Sequence, residues 1–502
     1  MARIGICLSF EIPPKLSFPE EDPTHDARFR KESHGSIADS ISIMNDSPQI
    51  IRARWVLPIS GPPLEDGEVV VVGGRIAEAR PASPSPSDTV RDFGDAIIMP
   101  GLVNIHTHLD YTLMRGLLED REFFPWIREL TARAGTLTPE DWVASATWGA
   151  AEAVAGGITT LGDCTFSGAA LAGAKALGLG GTIYQEVFGI DELHTVETIV
   201  EELQAKVAKL RAESAGSRLS VGISPHAPYT VRPALFRALA DYARRDDLPV
   251  CIHAAESQAE MELLRSGTGP IADMFARREI VWEPPGGSTV AYLDTLGILG
   301  PKTLLVHGIQ LSAGDRALCR QHEVAWAHCP KSNAKLGNGI ASFGLLSEAS
   351  AKIGLGSDSV ASNNTMDLFE EMRFAVLVQR GARRRMEGLG AKEAVTLATL
   401  GGAQALGLQN EIGTLEPGRR ADLCVVRLGD LHATPAYDPY NALVYAARAS
   451  DVVATYIGGA LKYDTTRSLQ PLERFPHINL TPLRSQLDAL ARRMHQWRPT
   501  HP

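Results

Sequence analysis

The stretch LVNIHTH, residues 102–108, decides how this chain is read. It is a short β-rich apolar run that ends in two histidines, His106 and His108, two positions apart. That spacing on a strand puts both side chains on one face, the geometry for clasping a single cation. Seven more runs of the same kind follow at helix-sized intervals: TTLGDCT from Thr159, TIYQEVFG from Thr182, LSVGISPHAPY from Leu219, PVCIHAAES from Pro249, TLLVHGIQ from Thr303, VAWAHCPKSN from Val324 and IGLGSDS from Ile353. Helical segments such as WVASATWGAAEAVAGG and VETIVEELQAKVAKLRAE lie between them. Eight β–α units in succession spell an α/β fold, a (β/α)8 TIM barrel over residues 99–407. A doubly wound sheet fits less well, because no Gly-rich phosphate turn follows the first strand and polar residues recur at many strand ends.

Outward from the barrel, both flanks turn to short β runs broken by Gly and Pro: IIRARWVLPI and EVVVVGGRIAEARP before it, EIGTLEPGRRADLCVVRL and VVATYIGGALKYD after it. The expectation is one composite β-sandwich domain made from residues 48–98 and 408–470. Residues 1–47, rich in Pro, Ser, Glu and Asp, read as a disordered extension, and Met44 is an alternative start. Residues 471–502 read as a helical tail carrying the amphipathic stretch LRSQLDALARRMHQW.

Charge and composition remove several function classes. With 49 Lys+Arg against 59 Asp+Glu the net charge is −10, and no basic run is present to neutralise a phosphate backbone, so no nucleic-acid partner is expected. No apolar segment reaches the ~20 residues of a membrane span, and the N-terminus lacks the marks of a secretory signal, so no membrane partner and a cytoplasmic location are expected. Six unpaired cysteines fit reduced core thiols rather than a thiolate metal site. Any metal must be held by other ligands.

Those ligands have a place to converge. Barrel active sites lie at the C-terminal ends of the strands, and there sit His106 and His108, His253 in IHAAE, His307 in LVHG and Asp358 in GSDS. One histidine on an apolar strand is ordinarily a hydrogen-bonded core residue. Five such residues at equivalent strand ends form a set. Imidazole with carboxylate suits zinc or ferrous iron, with a position left open for water. Glu256, three residues past His253, is placed to shuttle a proton, a role to be weighed against that of a helix N-terminal charge. The fourth strand carries no lysine to bridge a second metal, so one divalent cation per chain is expected, with zinc ahead of iron.

PGLVNIHTHLDYTLMRG, SPHAPYTV, IHAAES, VHGIQL, HCPKSNAKLGNG, GSDSVASNN and GTLEPGRRADLCVV together resemble the metal-dependent amidohydrolase superfamily, in its mononuclear deaminase and chlorohydrolase branch. The resemblance implies that His106, His108, His253 and Asp358 ligate the metal. It implies that Glu256 shuttles the proton, that His307 orients the attacking water, and that Asp358 takes a proton from it. The implied reaction is hydrolytic deamination of a cyclic amidine, turning an aromatic C–NH2 into C=O with release of ammonia.

The resemblance also bears on the substrate, a purine-type small molecule. Thr112, Leu113, Arg115 and Gly116 keep a segment typical of adenosine-type deaminases, Trp126 stands where a flat face for the ring is implied, and His226 matches a substrate-contacting histidine. S-adenosylhomocysteine deaminases carry an Arg at the third strand end for the amino-acid tail, where this chain has Gln185 and Glu186. Asp110 and the EVFG strand end look more like aminodeoxyfutalosine deaminases of menaquinone biosynthesis, so that nucleoside is favoured over S-adenosylhomocysteine, methylthioadenosine or adenosine. The alternatives are guanine deamination or triazine dechlorination on the same site, and, from another class, a non-catalytic barrel acting as a binding subunit. A homodimer is the base-rate expectation for assembly.

Overall fold

The computed structural model describes residues 47–84, 90–121 and 123–498. The expected disordered extension, residues 1–47, lies outside that set except for Ser47. Five strands come first: β1 (Gln49–Val56), β2 (Leu64–Val72), β3 (Arg75–Pro81), β4 (Val90–Asp92) and β5 (Ala96–Pro100). Eight follow in the middle of the chain: β6 (Leu102–Thr107), β7 (Ile158–Thr165), β8 (Gly180–Val187), β9 (Leu219–Pro225), β10 (Val250–Ala254), β11 (Thr303–His307), β12 (Ala325–His328) and β13 (Ile353–Leu355). Three close the series: β14 (Leu423–Arg427), β15 (Val452–Ile457) and β16 (Ala460–Asp464).

The outer strands share one mixed sheet, in the order β16-β15-β14-β5-β1-β2-β3 with β4 beside β1. The seam between the two flanks is β5 against β14, antiparallel, with Met99 opposite Cys424. Its apolar face, including Ile51, Val69, Ile98, Leu423, Val425 and Tyr456, forms a core of its own. Two Gly-Gly hairpins meet at one corner. Gly73–Gly74 and Gly458–Gly459 all have left-handed backbones, and a Cβ on Gly74 would stand 2.6 Å from the Gly458 carbonyl oxygen.

The middle eight strands pair in sequence order, all parallel, β6 through β13. Their residues are almost all buried, as expected of strands covered on both faces. Closure between the first and last strands is made by side chain as well as backbone. Asn104 Nδ2 donates to Ser357 Oγ at 2.7 Å, the Ser357 amide donates to Asn104 Oδ1 at 3.0 Å, and the Asp358 amide donates to the His106 carbonyl at 2.9 Å. The asparagine of LVNIHTH thus locks Asp358 beside His106.

The helix Pro139–Ala155 starts from a capping box between Thr138 and Asp141, with proline at its first position. Asp141 also pairs with Arg493 of the C-terminal helix Thr481–Gln496, which lays Leu487 and Leu490 against Ala144 and Trp148. Among the described residues no helix is long and apolar enough to cross a membrane.

Candidate active site

Strand ends β6, β10, β11 and β13 bring the five expected residues into one buried cluster. His106 Nε2 lies 3.3 Å and His108 Nε2 3.5 Å from Asp358 Oδ1. Ligand atoms ~2.1 Å from a common tetrahedral centre are separated by about 3.4 Å, so these spacings fit one small divalent cation. Donor atoms of His106, His253 and His307 also lie within 4.8 Å of one another. His106 Nε2, the nitrogen facing Asp358, is buried without a hydrogen-bond partner. Orphaned buried imidazole nitrogens are costly unless something fills the site, and a cation satisfies such donors. His253 Nδ1 donates to the His226 carbonyl at 2.8 Å, which leaves its Nε2 unprotonated and able to ligate.

Asp358 is held by further contacts. Its Oδ1 accepts from the Ser359 amide at 2.7 Å, and its Oδ2 accepts from Ser332 Oγ at 2.5 Å and Ser362 Oγ at 3.3 Å. Burial alone would raise its carboxyl, but His106, 3.3 Å away, and the neighbouring imidazoles outweigh burial and hold it well below the usual range. Ala255, His307 and Asp358 all adopt left-handed backbone angles, with φ of 53°, 78° and 57°. For non-glycine residues this costs of order 1–3 kcal/mol each, and such strain concentrates where side chains are aimed for function.

Glu256 follows the strained Ala255 and is 6% exposed. Its Oε1 lies 3.8 Å from His307 Nε2 and accepts from Asn338 Nδ2 at 3.1 Å. Burial raises its carboxyl, Asp358 raises it further, and His307 opposes them. A carboxyl so displaced toward neutrality is suited to donate and recover a proton. His307 is itself oriented, since its Nδ1 donates to Asn333 Oδ1 at 2.8 Å.

The turn that carries Glu256 is clamped from behind by Glu260, whose side chain accepts from the amides of Ala255 and Glu256, both at 2.9 Å, and from Thr289 Oγ1 at 2.5 Å. Burial pushes this carboxyl up to about 7. In the sequence Glu260 has no metal spacing and reads as a first-turn helix acid. Replacing Glu260 with Gln puts an NH2 where an acceptor must face an amide, so Glu260→Gln is expected to lose about 2 kcal/mol of stability. It is also expected to lower kcat more than it raises KM, with metal content intact. Thermal unfolding and steady-state rates check both parts, and unchanged kcat refutes the positioning role.

The remaining expected residues are more dispersed. Glu186 is buried, 3.9 Å from His108 Nδ1, and burial with Asp110 nearby lifts its carboxyl to about 8. His226 is half-buried beside His253, ring centroids 4.6 Å apart, with Nδ1 3.0 Å from Thr230 Oγ1. Gln185 turns its amide to the carbonyls of Thr165 and Phe166, at 3.1 and 3.0 Å. Arg115 pairs with Glu152, and Trp126 is buried in the main core. Asp110 ties the loop after β6 to β7, accepting from Thr165 Oγ1 at 2.7 Å and Ser167 Oγ at 2.8 Å.

A parallel barrel with imidazoles and a carboxylate gathered at its strand ends, and a second carboxylate beside them, defines the class of metal-assisted barrel hydrolases. Within that class the chain belongs to the amidohydrolase family, whose pattern matches residues 97–462. A 5-methylthioadenosine/S-adenosylhomocysteine deaminase of Moorella thermoacetica is 33% identical over 82% of this chain and 93% of the relative. A 5'-deoxyadenosine deaminase of Methanosarcina acetivorans is likewise 33% identical, over 84% of this chain and 94% of its own length. Among solved structures, an adenosine deaminase from Xanthomonas campestris with bound zinc superposes with a TM-score of 0.77 at 29% identity, covering 89% of this chain and 99% of that one.

Proposed function

We propose that this protein is a zinc-dependent hydrolytic deaminase that converts the 6-amino group of an adenine nucleoside to a carbonyl with release of ammonia. The observation that carries the reading is that His106 belongs to two close donor groups, one with His108 and Asp358 and one with His253 and His307, while Glu256 Oε1 lies 3.8 Å from His307 Nε2. The donor set of three imidazoles and one carboxylate would hold the cation. When bound, it supplies a Lewis acid that makes water a nucleophile near neutral pH. His307, fixed through Asn333, orients the water and Asp358 accepts its proton. Glu256 delivers a proton to the ring nitrogen next to the reacting carbon, recovers one from the added hydroxyl as the carbonyl forms and passes it to the departing amine, which cannot leave as an anion; the proton held by Asp358 then restores Glu256. The two sequence relatives are named for adenosines altered at the 5′ position, and aminodeoxyfutalosine belongs to the same chemical class.

The test is ammonia release by zinc-loaded protein from adenosine, 5′-deoxyadenosine, methylthioadenosine, S-adenosylhomocysteine, aminodeoxyfutalosine, guanine and a chlorotriazine. Turnover is expected on one or more adenine nucleosides, with guanine and the triazine inert. Turnover of guanine or the triazine alone replaces the reading with that activity, and no turnover of any of them removes it.

A further inference from the structure

His106 turns its two ring nitrogens to different surroundings. Its Nε2 faces Asp358 Oδ1 at 3.3 Å, while its Nδ1 faces Cys164 Sγ at 3.9 Å. Cys251 lies on β10 two residues before His253, so the strand's period of two sends both side chains to one face, with the thiol a step further from the strand end. Donor atoms of His106, Cys164 and Cys251 lie within 4.8 Å of one another, and all three residues are fully buried. Both cysteines are free thiols. No CxxC spacing announces the pair, because the thiols come from β7 and β10 and meet only when the barrel closes.

Geometry and charge together select an ion for this group. With bonds of about 2.3 Å to sulfur and 2.1 Å to nitrogen, two donors on a three-coordinate zinc-sized centre stand about 3.8 Å apart. The 3.9 Å between Cys164 Sγ and His106 Nδ1 matches that spacing and leaves room for the slightly longer bonds of a heavier ion. Two thiolates cancel the charge of a divalent cation, which removes most of the cost of burying it beside the apolar neighbours Tyr184, Val306 and Ala327. Thiolate sulfur favours soft cations over hard ones.

We infer that His106 Nδ1, Cys164 and Cys251 form a second metal site, for a thiophilic divalent cation such as cadmium or mercury, and that filling it disables the catalytic site beside it. Binding releases the two thiol protons. A neutral imidazole has one lone pair, so when Nδ1 ligates the soft ion the ring proton sits on Nε2 and points to Asp358. His106 is then lost to the catalytic cation. The two sites share one ring and exclude each other through it.

The experiment titrates the zinc-loaded full chain with cadmium chloride in thiol-free buffer. It follows the ultraviolet sulfur-to-cadmium charge-transfer band, the bound zinc and cadmium by mass spectrometry, and the zinc affinity by chelator competition. One cadmium per chain is expected to bind with the band, and zinc binding to weaken by about tenfold or more as the band saturates. Cys164→Ala and Cys251→Ala are each expected to hold zinc as the parent does while losing the band. Cys319→Ala, at a thiol on the helix Asp315–Gln321, is expected to retain it. Absence of the band in the parent chain overturns the site, as does a band that survives both substitutions. Cadmium that displaces zinc without the band occupies the catalytic site alone and overturns it too, and a saturated band with zinc affinity unmoved overturns the exclusion. None of these measurements uses a substrate, so the site stands or falls separately from the deaminase reading.

Discussion

Glu256→Gln is expected to lower kcat by about a thousandfold while leaving metal content and fold unchanged. The magnitude is that of a positioned general acid, which contributes 10²–10⁴-fold. The side-chain shape survives, since glutamine keeps the oxygen that accepts from Asn338 Nδ2, and the clamp of Glu260 acts on the backbone of the turn rather than on the Glu256 side chain. What disappears is the proton. Its carboxyl is raised by burial, so in the folded protein it retains a proton closer to neutrality than an exposed glutamate does. The leaving group supplies an internal control. Chloride departs without protonation, so on a 6-chloropurine nucleoside the same substitution should cost less than on the amine. Metal analysis by mass spectrometry and rates on the two substrates decide the matter. Near-native turnover refutes the shuttle, equal losses on both substrates confine its role to the ring nitrogen, and loss of metal reassigns Glu256 to the ligand set.

What the sequence displays and what it conceals separate along a physical line. The barrel strands are legible because a parallel strand buried on both faces is a continuous apolar run, and each such run ends where the next helix must begin. His106, His108, His253, His307 and Asp358 stand out because they interrupt such runs at equivalent ends. The groups that aim them do not stand out. Asn333 reads equally as a turn former or a pocket-wall residue, yet it sets the orientation of His307. Glu371, on the helix Leu368–Arg383, accepts from Asn363 Nδ2 at 2.6 Å and from the Lys331 amide at 3.2 Å, and so joins the loops after β12 and β13. Nothing in its spacing announces that, because helix-to-loop contacts are set by tertiary packing. The flanking domain was readable as β runs with Gly-Gly turns, whereas its pairing of β5 with β14 across more than three hundred residues is a property of the closed barrel between them.

Asp358→Asn is expected to weaken metal binding by more than about 100-fold, the upper end of what loss of a mere outer partner costs, and to reduce activity below detection. Asparagine is the substitution that isolates charge. It tolerates the left-handed backbone at this position, φ 57°, and retains an oxygen for the Ser359 amide. The anion facing His106 and His108 is lost, and the new NH2 faces Ser332 Oγ and Ser362 Oγ, hydroxyls that can turn to accept from it. A divalent cation held by neutral imidazoles alone keeps its full charge in a buried site, where the carboxylate had offset part of it. Stability reports this independently of rate. A metal that binds only the folded chain stabilises it by about 4 kcal/mol when present at a thousandfold above its dissociation constant. Chelation should therefore lower Tm of the parent protein by several degrees and leave that of Asp358→Asn nearly unmoved. His106→Ala should behave alike, since His106 Nε2 is one of the orphaned nitrogens the cation would satisfy. A chelator-sensitive Tm in both variants, with parent-like metal affinity, would remove Asp358 and His106 from the ligand set and with them the proposed chemistry.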